Sequence, residues 1–247
     1  MNRAEVCALI EEIGIIPAIK VCTAAEAHFA AESVTGAGIP IVEITLNVPE
    51  AVELISHLVH HHHKMIVGAG MVLDVETAQR CRDAGASFLT APGFDPAILE
   101  FAVKESLAIL PGALTPTEVV TAWRAGADFV KVFPCAQVGG DKYIRALKSS
   151  LPPIHLIAAG GVNQQTAAGF ILAGATALGI GTELIPAEAI ERRQTERIQE
   201  LAHRFLAFVK DARKRLGPQK EGDVPSKTDF RKLDKPAPPQ RKNRESA

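Results

Sequence analysis

The stretch RAGADFVKVFPC, residues 124–135, reads as a helix end, a glycine turn and a short strand. DAGASFLTAPGF at 83–94 repeats that order: Ala-Gly-Ala, one polar residue, Phe, an apolar run, then Pro. LAGATALGIGTE at 172–183 carries the helix-end part a third time. Glycine after a helical segment supplies the left-handed residue that ends a helix. A short apolar run behind it suits a strand buried on both faces. Repetition in this form marks successive βα units.

Working outward, eight strand candidates stand at 15–20, 40–46, 64–70, 87–91, 107–112, 128–133, 154–160 and 176–181. Helix-like segments fill the gaps at 23–36, 50–60, 74–84, 95–104, 116–125, 140–149 and 163–173. Asp74, Thr115-Pro116 and Asn163 supply helix starts. Gly36, Gly85, Gly126 and Gly174 supply stops. Short strands joined by helices pair in parallel through right-handed crossovers. Eight such units in about 180 residues predict an α/β fold, a compact (β/α)8 TIM barrel. The rival is a doubly wound dinucleotide-binding sheet, which carries Gly-x-Gly-x-x-Gly after its first strand. Here VCTAAEA follows, without glycine. A leading helix at 2–13 and helical segments over 186–215 complete a domain assigned to residues 1–217.

Composition narrows the partners. The chain has 47% hydrophobic residues and a net charge of −1, without the sign bias of a nucleic-acid or anionic-membrane binder. Cys7, Cys22, Cys81 and Cys135 are widely spaced, as reduced thiols of a cytoplasmic protein are. The first residues lack a signal-peptide core, and no apolar run is long enough to span a bilayer. A soluble cytoplasmic protein is expected, with no nucleic-acid or membrane partner. Residues 218–247 are rich in Pro, Lys, Arg, Asp and Ser, with Phe230 their one aromatic residue, and read as a disordered polar tail.

In such barrels the active site lies at the C-terminal ends of the strands. Strand alternation puts Phe129, Lys131 and Phe133 on one face, and Val130 and Val132 on the other. The valines suit the helix side, so Lys131 points into the barrel. The plain reading is a lysine whose stem packs while its ammonium reaches water. The chemical reading starts from desolvation, which disfavours an ammonium and yields an amine able to attack ketones. Glu43 repeats the anomaly in IVEITL, sharing its face with Ile41 and Thr45. A buried carboxylate is rare unless paired or functional. It is expected either to pair with Lys131 or to shuttle protons beside it. AAGGVN (158–163) and GIGTE (179–183) put glycines at the last two strand ends, where backbone N–H groups and a helix N-terminus can approach a phosphate. TAPGF and LPGALTP are turns that shape the pocket.

Taken together, VEITL, VGAGMVLD, TAPGFDP, PGALTPTE, FVKVFPC and AAGGVN resemble the 2-keto-3-deoxy-6-phosphogluconate (KDPG) and 4-hydroxy-2-oxoglutarate (KHG) aldolase family, in unbroken order from about residue 5 to 210. The resemblance implies a (β/α)8 barrel, a class I Schiff-base aldolase without cofactor or metal, and a homotrimer. It implies that Lys131 forms the Schiff base and Glu43 is the general acid/base. Pro92 and Phe133 match pocket walls, and Gly160, Gly161, Gly181 and Thr182 match the phosphate turns. Three positions depart from the family pattern. Met71 and Ala159 replace substrate-binding threonines, and Asn47 stands where some members have a carboxylate-binding arginine. Lys20 is placed to supply that charge. The implied reaction is cleavage of KDPG to pyruvate and glyceraldehyde 3-phosphate. The galactonate epimer and KHG are alternative substrates, and a phosphate-ligand-binding barrel without turnover is the alternative of another class.

Two weaker signals remain. His60–His63 are consecutive and point apart, so they form a poor metal cage; they lie where a helix should end. Cys135, behind Pro134 at the rim, is expected to be accessible.

Overall fold

The computed structural model describes residues 1–217; the expected tail, 218–247, lies outside them. Nine strand segments form one parallel sheet: β1 (Ile15–Ile19), β2 (Ile41–Thr45), β3 (Ile66–Gly70), β4 (Phe88–Thr90), β5 (Ala108–Leu110), β6 (Gly112–Ala113), β7 (Val130–Val132), β8 (Leu156–Ala159) and β9 (Ala177–Ile180). Helix α1 (Arg3–Ile13) leads. Then come α2 (Ala24–Gly36), α3 (Ala51–His61), α4 (Val75–Asp83), α5 (Pro96–Lys104), α6 (Pro116–Ala125), α7 (Asp141–Ser150), α8 (Ala167–Leu172), α9 (Ala187–Glu191) and α10 (Thr195–Leu216).

Strand order is β5-β4-β3-β2-β1-β9-β8-β7-β6. The ends of that row, β5 and β6, are one strand broken at Pro111. Proline has no N–H for a ladder, so regular pairing lapses there. Its carbonyl still accepts from Lys131 N at 2.9 Å, and Ile109 O accepts from Asp128 N at 3.1 Å. The broken strand thus pairs with β4 on one side and β7 on the other, and closes the eight-stranded barrel that the sequence pattern predicts.

Alternation sorts the core into two shells. Outward residues, among them Val42, Ile44, Val67, Ala69, Val130 and Val132, pack against the helices. Inward residues Ile16, Ile41, Ile66, Phe88, Leu110, Phe129 and Ile157 fill the barrel. Gly68 makes room for Phe88: a β-carbon there would lie 2.3 Å from its ring. Helix α1 lays Val6 and Ile10 on the same interior cluster and seals the N-terminal end of the barrel. Arg3 fastens it, donating from Nε to Asp128 Oδ1 and Oδ2 at 3.0 and 2.9 Å and from Nη2 to Gly126 O at 2.9 Å.

Helix ends follow local chemistry. Thr23 and Thr115 form capping boxes with Glu26 and Glu118, and Asp74 accepts from Thr77 N at 2.7 Å. Two expectations are corrected. Gly36 lies inside α2, and Gly38, at φ +89°, takes the left-handed turn instead. Asn163 does not start a helix: its Oδ1 accepts from Gln165 N and Thr166 N, folding an Asx turn that delays α8 to Ala167.

Because Ile10 is fully buried in the seal, Ile10→Ala is expected to cost about 2–5 kcal/mol in urea unfolding. The far end of the barrel should keep its activity at low temperature.

Candidate active site

The expected site residues, Lys131 and Glu43 with Lys20, Asn47, Met71, Pro92, Phe133, Ala159, Gly160, Gly161, Gly181 and Thr182, all lie at or just beyond the C-terminal strand ends. Lys131 is 8% exposed and Glu43 6%, both on inward positions of a largely apolar interior. Lys131 Nζ donates to Thr90 Oγ1 at 3.2 Å and lies 5.9 Å from the centroid of the Phe133 ring. Thr90 is fully buried at the end of β4. A hydroxyl both donates and accepts, so it can stay bonded whether the amine is charged or neutral.

Glu43 lies across Gly70, where a β-carbon would sit 2.0 Å from its Oε1. Pairing of Gly68 with Phe88 and Ala69 with Leu89 makes Gly70 and Thr90 neighbours at the ends of β3 and β4. The carboxylate therefore rests over the end of β3 while the amine reaches the end of β4. Among the described residues no ion pair joins Glu43 to Lys131.

The walls follow. The Pro92 carbonyl passes over Gly112, leaving 2.0 Å for a β-carbon there, and Gly112 pairs with Lys131. Phe133 is 38% exposed at the mouth. Gly160 and Gly161 take φ of +80° and +86° after β8, so backbone conformation demands glycine there. Gly160 packs beside Pro134 and Phe133, and a β-carbon on Gly161 would lie 2.2 Å from Ala136 Cβ. Gly181 and exposed Thr182 follow β9. Lys20 and Asn47 are exposed after β1 and β2, Ala159 is buried at the end of β8, and Met71 is half-buried after β3 at φ +63°.

A cavity of about 470 Å3 opens behind the first glycine turn, lined by Gly140, Asp141, Gly161, Gln165 and Thr166 among others. The Asp141 carboxylate on its wall makes this cavity a poor place for an anion. Helix α8 has six residues and α9 five, so helix dipoles contribute little at these turns and the backbone amides are their main polar feature.

Cys135 corrects its expectation. Its thiol is fully buried, Sγ lies 3.6 Å from Gly140 O, and desolvation, with Asp141 nearby, pushes its pKa up to about 11. Thr90 and Gly70 escaped the sequence reading. Alternation from Phe88 would have turned Thr90 inward; Gly70 carried no local signal.

The chain is similar to known proteins. Residues 6–201 match the family model described as "Aldolase: KDPG and KHG aldolase". The chain is 32% identical over 201 residues to 2-dehydro-3-deoxy-6-phosphogalactonate aldolase of Escherichia coli, covering 81% of this chain and 94% of that one. It is 28% identical over 205 residues to 2-dehydro-3-deoxy-phosphogluconate aldolase of Pseudomonas aeruginosa, covering 83% and 93%. Among solved structures it is similar to KDPG aldolase of Legionella pneumophila, with pyruvate captured as a covalent carbinolamine intermediate. That likeness has a TM-score of 0.74 at 26% identity, covering 80% of this chain and 96% of that one. A lysine and a carboxylate inside the C-terminal mouth of a (β/α)8 barrel, and a family match across most of its length, place the chain in the KDPG and KHG aldolase family, as a carbon–carbon lyase.

Two variants probe the site's architecture. Gly70→Ala must displace the Glu43 carboxylate, and turnover should fall about 10²-fold with an unchanged circular dichroism spectrum. Thr90→Val removes one hydrogen bond from Lys131, worth about 0.5–1.5 kcal/mol, so turnover should fall roughly two- to tenfold. Thr90→Ser should restore it.

Proposed function

We propose that the chain cleaves KDPG to pyruvate and glyceraldehyde 3-phosphate through a Schiff base on Lys131. One observation carries the reading. Among the described residues, an amine buried at the C-terminal mouth is bonded to a neutral hydroxyl and ion-paired to no carboxylate, which leaves it open to act as a nucleophile.

The neutral amine attacks the C2 ketone to give a carbinolamine, and loss of water gives the iminium. Glu43 moves the protons in both steps, directly or through water. The same carboxylate, or a water it holds, takes the proton of the C4 hydroxyl. The C3–C4 bond breaks, its electrons flow into the iminium, and an enamine remains. Glyceraldehyde 3-phosphate leaves, the enamine is protonated at C3, and hydrolysis frees pyruvate and Lys131. Amides of Gly160, Gly161, Gly181 and Thr182 hold the phosphate, and Lys20 faces the substrate carboxylate. Pro92 and Phe133 wall the pocket. Asn47, Met71 and Ala159 border the sugar-acid carbons, and with no hydroxyl at Met71 or Ala159 they set its selectivity. The protein is read as a homotrimer, so the full 26.3 kDa chain should sediment at about three times that mass.

A second substrate reading has its own support: the relative of 32% identity acts on the galactonate epimer by its name. Steady-state pyruvate release from KDPG, its galactonate epimer and KHG separates the readings. KDPG should give the highest kcat/KM, and Glu43→Gln should lower kcat about 10²- to 10⁴-fold. Preference for the epimer would shift the proposal to that substrate. Ligand-induced thermal stabilisation without pyruvate release from any of the three would refute it.

A further inference from the structure

The histidine run at 60–63 has no part in this chemistry. His60 and His61 are tied back to their own helix, with Nδ1 2.7 Å from Ser56 O and 2.8 Å from His57 O respectively. His62 differs. It caps α3, and its side chain turns toward α2, the next helix around the barrel. On α2, His28 and Glu32 stand four residues apart and share a face.

Glu32 lies between the two imidazoles. Its Oε2 is 3.3 Å from His28 Nδ1, and its Oε1 is 3.9 Å from His62 Nε2. One ligand atom from each of the three residues lies within 4.8 Å of the others. Ligand atoms around a tetrahedral zinc ion, at about 2.0–2.1 Å from it, stand roughly 3.3 Å apart. The His28–Glu32 contact is already at that spacing, the His62–Glu32 contact, on the other carboxylate oxygen, is 3.9 Å, and with all three ligand atoms within 4.8 Å of one another the widest edge closes by side-chain rotation of up to about 1.5 Å. The side chains are 30%, 50% and 28% exposed, open enough to admit an ion and water.

A solvated ion pair would account for His28 against Glu32, an ordinary i,i+4 pair. It does not need His62, which comes from another helix, meets the His28 ring edge-on at 5.5 Å between centroids and presents Nε2 to the second carboxylate oxygen. We propose that His28, Glu32 and His62 form a binding site for a divalent transition-metal ion of the zinc type, with a fourth position open to water. Two imidazoles and one carboxylate are a ligand set such ions prefer, whereas magnesium and calcium favour oxygen donors. The site joins α2 to the C-terminal end of α3. That end of the helix leads into the start of β3, so the ion sits on the barrel flank opposite the Lys131 mouth and acts as a clip between helices. A metal was not expected from the sequence, because consecutive histidines diverge; the site uses one member of the run and two residues some thirty positions earlier.

The test uses the full chain without an affinity tag, stripped with EDTA, and titrated calorimetrically with zinc chloride. One ion per chain is expected, with no response to magnesium. His28→Ala and the isosteric Glu32→Gln should each weaken binding about tenfold or more, and zinc should raise the melting temperature of the unaltered chain but not of these variants. The His60→Ala/His63→Ala double variant should bind as the parent does. Absence of stoichiometric zinc binding would overturn the proposal. So would a loss in the double variant equal to that in His28→Ala, which marks simple chelation by the run. Circular dichroism and retained aldolase turnover establish that each variant is folded, since none of these residues belongs to the active site.

Discussion

The interior of this barrel is so narrow that one added β-carbon decides what fits. At Gly70 it would take the place of the Glu43 carboxylate, at Gly68 that of the Phe88 ring, and at Gly112 it would strike the Pro92 carbonyl. A closed eight-stranded barrel has room for side chains alone, so each bulky inward residue needs a small one beside it. Phe88 and Phe129 fill the lower level and α1 seals the end beneath them. The upper level is left to Lys131, Glu43 and Thr90, and their chemistry depends on that division.

The same constraint explains how a lysine is tolerated inside. Its stem passes the apolar level, and its amine stops where Thr90 offers a hydroxyl and Phe133 a ring face. Burial without a hydrogen-bonding partner would be costly, and pairing with a carboxylate would hold the amine as an ammonium. Glu43 is kept aside by its seat over Gly70. Among the described residues the two groups share one level without forming an ion pair, the arrangement on which the proposed division of roles rests.

Much of this was legible in the sequence because a period of two is a local signal. Alternation alone turned Lys131 and Glu43 inward and sent Val130 and Val132 to the helices. The repeated Ala-Gly-Ala helix ends gave the unit count. What escaped depends on pairings across the chain or on competing local bonds. Pro111 splits its strand without opening the barrel, because the hydrogen bonds on either side persist. Gly70 matters only through Glu43 on the next strand. Asn163 has the side chain of a helix start and spends it on an Asx turn. His62 meets His28 only because α2 and α3 are neighbours around the barrel. Nothing in the four-histidine run distinguishes it from the other three.

The central claim is that the Lys131 amine, and no other, reacts with a keto acid. Incubation of the full chain with pyruvate and sodium cyanoborohydride, followed by peptide mass mapping, measures this directly. The account predicts one reduced pyruvate adduct, on the peptide carrying Lys131, and none in a Lys131→Arg variant. An adduct on Lys20, or undiminished labelling of the variant, would contradict it.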